Sequence, residues 1–80
     1  MADASPDRAT CQKAIKLLEQ FGRLARKYGI KISAARLQRL NELRDAGTIT
    51  SADLPGKLAK EMPGEFVGLS LDEIRERCGM

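Results

Sequence analysis

"LRDAGTITSADL", residues 43–54, decides how this chain folds. A leucine-bearing helix runs into Gly47, and a new start signal follows within a few residues. Gly47 takes a positive φ at no steric cost, which makes it a natural helix stop. Ile49 is the one apolar residue of Thr48-Ile49-Thr50 and is expected to point inward. Thr50, with Asp53 three positions on, has the pattern of a capping box. Stop, anchor and start together predict a corner between two helices.

Upstream of the corner, Ser33 caps a helix over 34–46, with Leu37, Leu40 and Leu43 on its buried line. Before it, Ile30-Lys31-Ile32 reads as a short extended connector whose isoleucines anchor in the core, and Gly29 ends an earlier helix. That first helix is expected to run from Pro6 to about Tyr28. Ser5 is its cap, Pro6 stands where a missing N–H costs nothing, and Asp7 faces the positive end of the helix dipole. At 100° per residue, Cys11, Ala14, Leu17, Leu18, Phe21, Leu24, Ala25 and Tyr28 fall in one stripe. Arg8, Lys13, Lys16, Glu19, Gln20, Arg23, Arg26 and Lys27 fall opposite. Gly22, inside the helix, permits a close crossing or a slight bend.

Downstream, Pro55 disturbs a helix begun at Ser51. Either Asp53 or Leu54 is the true cap with Pro55 in the first turn, or a brief turn covers 51–54 and the helix spans 55–62. Leu58 is its main core residue, and Met62-Pro63-Gly64 breaks the chain. Residues 65–68 are expected to be extended, with Phe66 or Val67 buried. Ser70-Leu71-Asp72-Glu73 is a capping box for a last helix over 71–78, with Leu71, Ile74 and Cys78 inward. No alternation long enough for a sheet occurs. The expected fold is all-α: a small four-helix domain over 6–78, one long N-terminal helix packed on a helical hairpin plus a short C-terminal helix, after a disordered 1–5.

Eighty residues make one small domain with a small core. Two cysteines and no histidine are too few for a disulfide framework or a structural zinc site. Cys11 reads as a small buried apolar residue and Cys78 as a thiol at a frayed end; a Cys11–Cys78 bridge is the alternative, with no support in the spacing. Residues 1–12, "MADASPDRATCQ", have neither the basic start nor the apolar stretch of a secretory signal, and no run is long enough to span a membrane. A soluble protein of the reducing cytoplasm is the expectation.

Without histidine, a Ser–His–Asp or Cys–His hydrolase is excluded. Asp72-Glu73 and Glu61 with Glu65 read as solvated surface, not as a catalytic pair. "PGKLAK" (55–60) lacks the spaced glycines and Ser/Thr of a phosphate loop, and 45–54 lacks the oxygen ladder of a calcium loop. No cofactor, metal or catalytic residue is expected. The net charge is +3, but it is uneven. Residues 1–46 hold ten Lys/Arg against five Asp/Glu, and residues 47–80 hold four against six. Lys13, Lys16, Arg23, Arg26, Lys27 and Lys31 form a basic row that could follow phosphates. No aromatic residue lies on that face for base stacking, and "SADLPGK" (51–57) is poor chemistry for a DNA-reading helix.

The stretch 36–62, "RLQRLNELRDAGTITSADLPGKLAKEM", resembles the short C-terminal domain (SHOCT) family of bacteria. Leu37, Leu40, Leu43, Gly47, Ile49, Thr50 and Lys57 match it in kind and spacing. Leu54 stands where the family usually has phenylalanine, Pro55-Gly56 departs from its helical residues, and the unit sits mid-chain here. The resemblance covers about a third of the chain. It implies a helical hairpin serving as an interaction or oligomerisation module without catalysis. The expected function is that of a non-catalytic bacterial or mobile-element accessory protein that binds another protein, or itself, with no membrane contact. Leu24, Tyr28, Met62, Phe66, Val67 and Leu69 are the candidate interface. The alternative is a nucleic-acid-binding protein using the basic row.

Overall fold

The corner forms as expected, and the rest of the chain is arranged around it. The structure is a computed structural model that describes residues 7–79. Its α-helices are α1 (Arg8–Glu19), α2 (Phe21–Lys27), α3 (Ala34–Ala46), α4 (Gly56–Ala59) and α5 (Leu71–Arg77). Single 3₁₀ turns at Ser51–Asp53 and Gly64–Phe66 complete the regular structure, and no strand occurs among the described residues. The chain is all-α. The readings of Ser5 as a cap, of Pro6 as a first helical residue and of 1–5 as disordered lie outside the described residues.

Asp7 caps the first helix, where its carboxylate accepts from the Thr10 N–H at 2.6 Å. The expected single long helix is two. Gln20 leaves helical geometry at φ −116°, ψ 30°, between α1 and α2. Its N–H still reaches the Lys16 carbonyl at 2.8 Å, and the ladder resumes with Leu24 N–H on the Gln20 carbonyl at 3.0 Å. The freed Glu19 carbonyl accepts instead from the Arg44 guanidinium of α3 at 3.4 Å. The same guanidinium lies 5.6 Å from the centre of the Phe21 ring, a cation–π contact of about 0.5–1 kcal/mol at a partly exposed site. Gly22 follows at once, and its poor helix propensity lowers the cost of the break. The apolar stripe survives it: Cys11, Ala14, Leu17, Leu18, Phe21, Leu24 and Ala25 are all buried. Tyr28 does not join them. It is the C-cap of α2, past the last helical turn, and 47% exposed.

Ser33 caps α3 through the Arg36 N–H, and Gly47 ends it at φ 76°. Only Leu40 of the three leucines is fully buried; Leu37 and Leu43 pack on the core with part of their surface open. At the corner, Ile49 is completely buried, and the Asp53 carboxylate accepts from the Thr50 N–H at 2.9 Å. Pro55 resolves as the second alternative. A 3₁₀ turn precedes it and Pro55 itself stands as N-cap of α4, which is one turn long and far shorter than 55–62. Residues 64–66 are a 3₁₀ turn instead of an extended strand, and the turn delivers Phe66 into the core while Val67 faces out.

The corner also holds the far end of the chain. The Leu71 N–H donates to the Ile49 carbonyl at 3.0 Å, and the Asp72 N–H donates to the Gly47 carbonyl at 3.1 Å. These are first-turn amides of α5 that have no acceptor within their own helix. Ser70 and Glu73 close the capping box, at 3.0 and 3.2 Å. A Cβ on residue 47 would meet only the Asp72 carboxylate, the end of an exposed side chain that can swing aside, so it is the positive φ that calls for glycine there.

From this docking, α5 lies along α1. Cys11 and Cys78 are joined in a disulfide, with Cα atoms 6.0 Å apart and a separation of 67 positions in sequence. This corrects the reading of Cys78 as a frayed thiol. Its sulfur is fixed because the Ser70 box and the corner carbonyls aim α5 so that its last turn meets the first turns of α1. Arg75 of α5 also pairs with the Glu19 carboxylate at the end of α1.

Candidate functional site

The six residues 28–33 join α2 to α3, and a groove lies between the two helices. It has a volume of about 550 Å³ and is lined by Gly22, Arg23, Ala25, Arg26, Ile30, Lys31, Ile32 and Leu37. The Gly29 backbone, at φ 71°, turns the chain out of α2. The Ile30 N–H then reaches back to the Ala25 carbonyl at 2.7 Å, which pins the connector under the helix. Ile30, Ile32 and Leu37 pack on the core and keep part of their surface open to the groove. At Gly22 a Cβ would stand 3.9 Å from Leu37 Cδ1, so the floor is open because a side chain is missing there.

The basic row is redistributed by the break at Gln20. Arg23, Arg26 and Lys31 come together on the groove, all exposed. Lys13 and Lys16 stay on α1 and Lys27 on α2; all three are exposed and none lines the groove. Among the described residues, no ion pair involves any of these six. The neighbouring hollow holds Glu19 with Gln20, Arg23, Asn41 and Arg44, but the Glu19 carboxylate is already engaged by Arg75.

The apolar candidates divide. Leu24, Met62 and Phe66 are 8%, 6% and 1% exposed, so they belong to the core and offer no docking surface. A helix stripe and two tight turns suffice to bury them. Tyr28 and Val67 are exposed, and Leu69 is partly buried. Tyr28 lines a second hollow of about 400 Å³ with Lys57, Lys60 and Glu61. Ile30, Ile32 and Leu37, read as core anchors in the sequence, are the apolar residues that reach a groove instead. The signal that marks them is their setting: residues 20–41 contain Arg23, Arg26, Lys27, Lys31, Arg36 and Arg39 and no carboxylate.

Two carboxylates are held below their usual range. Hydrogen bonds from the Thr10 hydroxyl and N–H lower Asp7, and those from the Ser70 N–H and hydroxyl lower Glu73. Asp7 is the N-cap of α1, and Glu73 is the reciprocal partner of Ser70 in the capping box of α5. Among the described residues, no group of three or more acidic, cysteine or histidine side chains is placed to hold a metal ion, and no helix is long and apolar enough to cross a membrane.

Fold and groove define an all-α domain with a cationic, aliphatic-floored cleft. Comparison of the chain with protein-family models, curated proteins and solved structures finds no match.

Proposed function

We propose that this chain is a small non-catalytic domain that acts by binding another protein through the groove between α2 and α3. The supporting observation is the floor: Ile30, Ile32 and Leu37 each keep apolar surface open in one concave place. Concave sites with an apolar floor and a few polar groups at the rim are where partner side chains lodge. The resemblance of residues 36–62 to the SHOCT family implies the same kind of role. The accessory role in a bacterium or mobile element belongs to this reading. The cytoplasmic setting was expected from the lack of a secretory signal and of a membrane span; a Cys11–Cys78 bond persists in oxidising surroundings and is rare in a reducing cytosol, so the reading carries no cytoplasmic requirement.

The rival reading is nucleic-acid binding along Lys13, Lys16 and Lys27, which are exposed outside the groove. A displayed library of random helical peptides, selected on the oxidised domain, separates the two. Protein binding predicts an enriched consensus whose binding is lost on Ile32→Glu. Selection that enriches nothing, together with salt-sensitive amide shifts at Lys13, Lys16 and Lys27 on titrating duplex DNA, would replace this reading with the rival. Sedimentation across concentration identifies a second copy as partner if the mass rises.

A further inference from the structure

The groove's charge narrows its partner, given that the groove binds protein at all. Six cations and no carboxylate fall within residues 20–41, which form α2, the connector and the first half of α3. Three of the six, Arg23, Arg26 and Lys31, line the groove, to which α3 contributes Leu37. Arg36 donates to the Asp53 carbonyl at 3.2 Å, but Arg23, Arg26 and Lys31 stand exposed at the rim and enter no ion pair among the described residues. We infer that the groove accepts an acidic amphipathic helix of a partner protein, its apolar stripe on Ile30, Ile32 and Leu37 and its carboxylates on Arg23, Arg26 and Lys31.

Two features exclude the other occupants. A nucleic acid would use the cations but gain nothing from an aliphatic floor, and no aromatic ring lines the groove for stacking. A second copy of this chain has acidic segments at 61–65 and 72–76, but Met62, Phe66, Leu71 and Ile74 within and beside them are buried in its own core, and the exposed Val67 lies outside any helix. The partner must bring carboxylates and free aliphatic side chains on the same face. A helix laid in an apolar groove does this with anchors one turn apart. Carboxylate–guanidinium contacts at the rim then set orientation and hasten encounter.

Two designed helical peptides test this. They share one leucine stripe and carry either Glu or Gln at the other positions. The Glu peptide should shift the amides of Gly22, Arg26, Ile30 to Ile32 and Leu37. Its affinity should fall roughly tenfold between about 50 and 300 mM salt, as screening shortens the reach of rim charges. Arg23→Glu with Arg26→Glu and Lys31→Glu should weaken it at least as much. Gly22→Leu, which alters no charge and fills the floor, should also weaken it, with circular dichroism confirming that both variants fold. Equal binding of the Gln peptide overturns the acidic partner and leaves protein docking standing. If neither peptide binds while duplex DNA or anionic vesicles shift the same amides, both readings fall.

Discussion

The two sides of α1–α2 are built differently. On one side α5 is bonded to α1 by Cys11–Cys78, paired through Arg75 and Glu19, and hydrogen-bonded by its first turn to the carbonyls of Gly47 and Ile49. On the other side α3, the longest helix, fully buries only Leu40 and meets α2 across an open groove. A small domain has little stability to distribute. Here it is concentrated at the α1–α5 face, and the side with open apolar surface is held by few contacts. Local stability of this uneven kind leaves the α3 side free to open while the rest of the fold persists.

The comparison breaks most severely at the disulfide. Cys11→Ser with Cys78→Ser, or reduction, should cost about 4 kcal/mol, the chain-entropy value for a loop of this length. A domain of this size should then melt roughly 20 °C lower. Thermal unfolding with and without reductant measures it, and a loss under about 1 kcal/mol would mean that α5 is held by packing alone. Hydrogen exchange should accelerate first in α5.

Leucine truncations on the two sides come next. Leu18 is completely buried, and Leu18→Ala should cost about 3 kcal/mol. Leu37 keeps one face in the groove, and Leu37→Ala should cost about 1 kcal/mol. Equal losses in urea titration would mean that the groove is as tightly packed as the core.

Gly47→Ala should cost about 1–2 kcal/mol from its positive φ, because the exposed Asp72 carboxylate can swing aside from the new Cβ. Asp72→Ala in the same chain should recover little of that loss. Full recovery would show that space, not backbone geometry, fixes the residue.

The smallest effect is with pH. Asp7 and Glu73 are more acidic in the fold than in the unfolded chain. Such carboxylates stabilise the fold above their unfolded pKa, and the contribution disappears as pH falls through the folded value. Asp7 caps α1 and Glu73 closes the capping box of α5, whereas Ser33, which caps α3, does not titrate in this range. Amide exchange below about pH 4 should therefore quicken at the starts of α1 and α5 and not at the start of α3.

Local signals were the legible ones. Ser33, Gly47, Ile49 and the Ser70–Glu73 box act within a few residues, and each does what its chemistry implies. The unread features depend on residues far apart. Arg44 takes the Glu19 carbonyl across 25 positions, and this contact accompanies the break at Gln20. Cys11 meets Cys78 only because α5 is aimed by the corner. The basic residues were visible, but a row drawn on one ideal helix could not show that the break and the Ile30–Ile32 connector gather just three of them on a groove. Met62 and Phe66 looked like surplus apolar surface because tight turns around Pro63 bury more than helix periodicity accounts for.

The span of the Cys11–Cys78 bond has a mechanical consequence. Tension applied through the chain on either side of the pair passes across the sulfur bridge, and residues 12–77 carry none of it. A single cut in the Ile30–Ile32 connector would likewise leave both pieces attached. The groove thus sits inside a closed covalent ring, where pulling or nicking the chain does not by itself carry its walls apart.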